Sequence, residues 1–184
     1  SAGDTTINRL DIVRDDTDFS ELHERMQWYV DQEILSCCVA LVMRGTDVVD
    51  YATFGYMDLE SRRPLTRDAI FRMYSNTKIV TSVAAMMLYE QGAFDLDTPL
   101  SEFLPAFAEP AVLRPNAAST ADVEPLAAPI TMRQVLSHSA GFSYGFIEPD
   151  SVIDQAYMAA GVSAMANQGL TLETLCDGLA ALPL

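Results

Sequence analysis

One stretch of this chain reads as sheet. CCVALVM (37–43) and DVVDYATFGYMD (47–58) are two runs rich in β-branched residues on either side of Arg44-Gly45-Thr46, which reads as an antiparallel hairpin. A hairpin alone is not a stable sheet in water, where three or more strands with a covered face are needed. The chain therefore calls for cover, and for strands it does not contain. Cover comes first from DTDFSELHERMQWYVDQEIL, where Leu22, Met26, Val30 and Ile34 recur every fourth residue. That spacing makes one apolar helix face, with Thr17 or Asp18 as N-cap. The fold class this predicts is α+β, an antiparallel sheet flanked by helices plus a mostly helical region.

After the hairpin, LESRRPLTRD is polar and carries a proline, the composition of a connector. Residues 75–91 read as a helix whose apolar side chains, Ile79, Val80, Val83, Met86, Met87 and Leu88, spread too widely for one stripe, so it is expected to be buried on most sides. Gly92 suits the left-handed position that ends a helix, and FDLDTPLSEFLP follows as an ordered loop and turn. Residues 105–129, with five prolines and many alanines, read as an exposed excursion. The rest, ITMRQVLSH to LETLCDGLAALPL, reads as mainly helical around a glycine-rich break at SAGFSYGF. The expected division is 1–68, the start of a sheet domain, and 69–184, the helical region.

Twenty-six acidic residues against eleven basic ones give a net charge of −15, which repels nucleic acid and anionic membrane surfaces. The longest apolar run, Val39–Met43, falls far short of the roughly 20 residues that cross a bilayer. No apolar leader segment opens the sequence, so any export signal is expected to be absent or removed. Three cysteines, Cys37, Cys38 and Cys176, make no evenly spaced disulfide framework and no zinc pattern. They read as small buried apolar residues in a reducing, cytoplasmic setting, with no metal and no cofactor.

Ten of the eleven basic residues are arginines, and the exception is Lys78, three residues after Ser75. Residues i and i+3 share a helix face, so the two side chains meet. A lysine deprotonates a hydroxyl only where its ammonium is penalised, as in apolar surroundings, and Tyr74, Ile79 and Val80 are expected to supply these. The helix N-terminus favours an alkoxide on Ser75, and the Ser75 amide offers one oxyanion donor. An arginine cannot give up its proton, which gives a reason for a lysine in a chain that otherwise uses arginine. A serine three residues before a lysine also arises by chance, so the pattern alone is weak and the surrounding sequence must carry the case.

FRMYSNTK, then LYEQGAFDLDTPLSEFLP, then ITMRQVLSHSAGFSYGF resembles the serine β-lactamase-like superfamily of class C β-lactamases, penicillin-binding proteins and family VIII carboxylesterases. The likeness runs over roughly residues 34–146. It joins the S-x-x-K box, a block through Gly92, Phe94, Leu96, Asp97, Pro99 and Leu100, and a block from Leu136 to Phe142, in the family's order. The resemblance implies a β-lactamase/transpeptidase-like fold of which this is the N-terminal half. It also implies Ser75 as nucleophile, Lys78 as general base, and an acyl-enzyme hydrolysing esters or β-lactams. Ser-Tyr-Gly-Phe leans to the esterase branch, on short acyl esters, with Tyr144 in the acyl pocket. The family's third catalytic tyrosine and its K-T-G strand have no counterpart here, since Tyr74 adjoins the nucleophile and Lys78 is the sole lysine. A second polypeptide, or a remainder of the same gene product, is expected to complete the domain. The alternative from another class is a pseudoenzyme or non-catalytic fragment serving as a binding or assembly module.

His138 reads as a structural histidine satisfied by backbone groups, His23 as a solvated helix residue, and the methionines, Met86 and Met87 among them, as core filler.

Overall fold

The structure, a computed structural model, describes residues 11–164 and 169–184. It divides after Met73 into two compact units.

In the first, helix α1 (Ser20–Asp31) presents Leu22, Met26 and Val30 as its half-buried stripe. The carboxylate of Asp18 accepts the Ser20 N–H at 2.9 Å from just outside the cap position, which is Phe19. The helix is shorter than its spacing predicts. Glu33 turns left-handed at φ 56°, so Ile34 lies past the end and is exposed. Strands β1 (Cys37–Arg44) and β2 (Asp47–Asp58) form the expected hairpin, with Cys37 opposite Gly55 and Arg44 opposite Asp47. The register skips Val49, a bulge that puts Val49 and Phe54 both in the core although their spacing is odd. The connector does more than connect, because Arg63–Pro64 pairs with the end of β2 as a short strand β3, giving the order β1-β2-β3. Two residues are too few to leave a periodic signal. His23 is only partly solvated. Its Nε2 lies 2.8 Å from Asp50 Oδ2 and its ring meets Phe54 edge-on at 5.7 Å, fastening α1 to β2. The cysteines are half-buried and free rather than fully buried.

The second unit opens with one 3-10 turn, Tyr74–Asn76, leading into α2 (Thr77–Glu90). α2 ends as expected. Gly92, at φ 76°, donates to Tyr89 O at 2.9 Å and Ala93 donates to Leu88 O at 3.0 Å, the paired bonds of a Schellman motif. Its expected burial is not found. No residue of α2 is buried, Val80 is 71% exposed, and Met86 and Met87 are not core filler here. The side chains show what the helix would bury, and the described residues do not supply the cover.

Residues 92–100 are then zipped to 130–133. Leu100 donates to Ile130 O at 2.8 Å, Met132 to Thr98 O at 3.0 Å and Arg133 to Leu96 O at 2.7 Å, while Arg133 Nε reaches Asp97 Oδ1 at 3.0 Å. Between the two segments, residues 105–129 are not merely an exposed excursion. Phe107 is 4% exposed and packs edge-on against Phe142, and Ala111–Leu113 pairs with Val123–Pro125 as an antiparallel ribbon, β4 and β5. Leu184 extends that ribbon through bonds to Ala111 and Leu113. Strands of three residues, one ending in proline, carry no readable alternation.

Helices α3 (Met132–Leu136), α4 (Val152–Ala159) and α5 (Leu172–Ala180) are short, so the region is less helical than expected. Thr131 and Thr171 close capping boxes with Gln134 and Thr174, and Ser151 caps α4. Leu100, Phe107 and Ile130 centre the core, joined by Phe142, Cys176 and Leu184.

Candidate active site

Tyr74 sits at φ 44°, a left-handed conformation that costs a bulky residue energy. The 3-10 turn that follows brings Ser75 and Lys78 to one side, with Lys78 Nζ 3.1 Å from Ser75 Oγ. The ammonium also lies 5.3 Å from the ring centroid of Tyr144, over its face. All three residues singled out in the sequence therefore converge. Tyr144 is half-buried, whereas Ser75 and Lys78 are exposed. The dry surroundings expected of Tyr74, Ile79 and Val80 are not built, for Tyr74 is 78% and Ile79 65% exposed. Apolar neighbours in sequence do not cover an amine unless they fold back over it.

Tyr144 is held from two sides. Its hydroxyl is 3.1 Å from His138 Nε2 with the rings 5.6 Å apart, and Phe146 packs at 5.5 Å on it. His138 thus does not spend its ring on backbone groups, as the sequence suggests, but on this hydroxyl.

Beneath the loop lies Asp154, 1% exposed, which sequence reasoning missed. Its carboxylate accepts from the Ser143 hydroxyl and, at 2.7 Å, from the Glu148 amide. Burial pushes the Asp154 carboxyl up, but the Ser143 hydroxyl and the amides of Glu148, Gly145 and Ile147 outweigh it and hold it below the ordinary value. Tyr157, 1% exposed, accepts the Ser143 amide through its hydroxyl at 3.3 Å, and Ser163 Oγ donates to Gly145 O at 3.3 Å. The loop carrying Tyr144 is thus fixed to α4. The one available signal was Ser151-x-x-Asp154 ahead of an apolar run, which marks a helix start without revealing what the carboxylate faces.

An open groove runs from Lys78 past Ser82 and Met86 to Glu90 along α2. A separate cleft of about 640 Å³ between the end of α1 and β2, lined by Asp31, Glu33, Tyr56 and Arg62, holds none of the candidate residues. Among the described residues no three His, Cys, Asp or Glu side chains group as a metal site, and no helix is long and apolar enough to cross a membrane.

The geometry now meets known proteins. The beta-lactamase family model matches residues 23–184. Esterase EstB of Burkholderia gladioli is 30% identical over 162 residues, covering 85% of this chain and 38% of that protein. Among solved structures, EstCE1, described as a hydrolase with promiscuous acyltransferase activity, matches with a TM-score of 0.75 and 28% identity, over 90% of this chain and 40% of that one. Simvastatin synthase (LovD) from Aspergillus terreus matches with a TM-score of 0.64 and 25% identity, over 86% and 41%. The chain spans less than half the length of these relatives, and its mixture of helices and small antiparallel sheets corresponds to that part of a β-lactamase/transpeptidase-like fold.

Proposed function

Since the chain belongs to the beta-lactamase family, we propose that it carries the nucleophile half of a serine hydrolase that cleaves short acyl esters through an acyl-enzyme. The observation that carries this reading is the 3.1 Å contact between Lys78 Nζ and Ser75 Oγ. It is the nucleophile–base contact that acyl transfer needs. Ser75 Oγ attacks the ester carbonyl as its proton passes to the Lys78 amine. The tetrahedral oxyanion is met by the Ser75 amide, and the departing alkoxide takes the proton from the Lys78 ammonium. Water then attacks the acyl-serine, giving its proton to Lys78, and Ser75 recovers a proton as the acid leaves. An alcohol in place of that water turns hydrolysis into acyl transfer, the second activity named for EstCE1. No metal or cofactor enters any step. Tyr144 lines the acyl side of the pocket.

Esters are favoured over β-lactams because EstB is described as an esterase. A complementing half, from the same gene product or a second polypeptide, supplies the third catalytic group and excludes water from a pair that is exposed here. That exposure favours a second reading, a non-catalytic binding or assembly module.

A fluorophosphonate probe separates the two. The hydrolase is labelled on Ser75, loses labelling in Ser75→Ala, and falls at least about 100-fold in both Lys78→Ala and Lys78→Arg. A folded protein that takes no label at Ser75 is the module.

A further inference from the structure

Two helices of the second unit end in the same motif with different residues at its left-handed position. Gly92 fills it after α2. After α3, His138 donates to Val135 O at 3.2 Å and Ser139 to Gln134 O at 2.8 Å, the same paired bonds, with His138 at φ 60°. Glycine takes this conformation freely and a side chain does not. His138 carries a side chain at this position, and its ring is spent on the Tyr144 hydroxyl.

From this we infer that His138, acting through Tyr144, is a positioning residue for Lys78. The inference deepens the hydrolase reading and rests on it. A lysine stem is long and freely rotating, so one contact to Ser75 leaves the amine poorly aimed. The face of the Tyr144 ring is a second contact, attracting the ammonium that forms once the serine proton has moved. His138 fixes the ring through the hydroxyl, and Phe146 packs on it. His138 bonds the Tyr144 hydroxyl and not the Ser75–Lys78 pair. Its loss should therefore slow acylation without weakening ester binding, whereas Tyr144 also lines the acyl pocket.

The test measures kcat and KM for a short p-nitrophenyl ester, and melting temperature, on the intact protein. His138→Gly relieves the backbone, so its melting temperature should stay level or rise while kcat falls about five- to tenfold and KM changes less than twofold. Tyr144→Phe, which keeps the ring and removes the hydroxyl, should lower kcat by a similar factor. The double variant should be no slower than either single one, because both remove one interaction. A His138→Gly protein with wild-type kcat overturns the inference, as do fully multiplicative losses in the double variant. These outcomes leave the hydrolase reading intact if Ser75 is labelled in the wild type. A wild type unlabelled at Ser75 overturns both.

Discussion

Asp154→Ala should be among the most damaging single changes in the second unit. The carboxylate is 1% exposed and accepts from the Ser143 hydroxyl and the Glu148 amide. Hydrogen bonds to a charged group contribute about 1.5–3 kcal/mol each, and truncation leaves two part-buried donors without this acceptor. Two such bonds give an expected loss of about 4 kcal/mol, or about 8–16 °C in melting temperature for a chain of this size. Asp154→Asn keeps one acceptor and loses the charge, so about half that loss is expected. The pH dependence has a definite sign. The folded carboxyl titrates below its ordinary value of 3.8, so its contribution is complete above about pH 4 and is lost as pH falls through the folded value. The gap between wild type and Asp154→Asn should therefore be full at pH 6 and close below pH 4. Circular-dichroism melts across that range measure both effects. An Asp154→Ala protein melting within about 2 °C of wild type at pH 6, or a gap that widens in acid, would refute the reasoning.

Gly145 and Gly92 share a left-handed φ but differ in space. A Cβ at Gly145 would meet Tyr157 Cβ at 2.8 Å and Ser163 Cβ at 2.9 Å, whereas one at Gly92 meets nothing within 4 Å. In urea titrations Gly145→Ala should cost about 3 kcal/mol or more and Gly92→Ala about 1 kcal/mol. Phe107→Ala should cost about 3–5 kcal/mol by the same measurement, because the ring is 4% exposed against Phe142. A mere surface excursion there would show no loss.

Signals confined to neighbouring residues were legible in the sequence. The hairpin, the stripe of α1 and the glycine end of α2 each follow from local pattern, and the Ser75–Lys78 contact needs only one helical turn. Contacts between distant segments were not legible. The zipper joining 92–100 to 130–133 underlies two of the sequence blocks, yet nothing within either block says that it pairs with the other. Proline-rich 105–129 concealed β4 and β5 because three-residue strands have no period. For α2, the wide apolar distribution described the cover it would accept and not the cover present, so burial was overread. The partner of His138 was misjudged and Asp154 was missed because their value lies in what they face, a phenol ring and a cluster of amides set by the folded loop.

Ser75, the proposed nucleophile, and the Lys78 amine are joined across three residues, so the turn that places one makes the contact. The Tyr144 ring reaches the same amine through contacts between distant segments, the pairing of 92–100 with 130–133 and the bonds of Asp154 to its loop. In the proposed site, reactivity and aim thus have separate origins, one local and the other assembled at long range. Substitutions far from Ser75, along the zipper or around Asp154, can retune the amine's aim while the proposed pair itself stays unchanged.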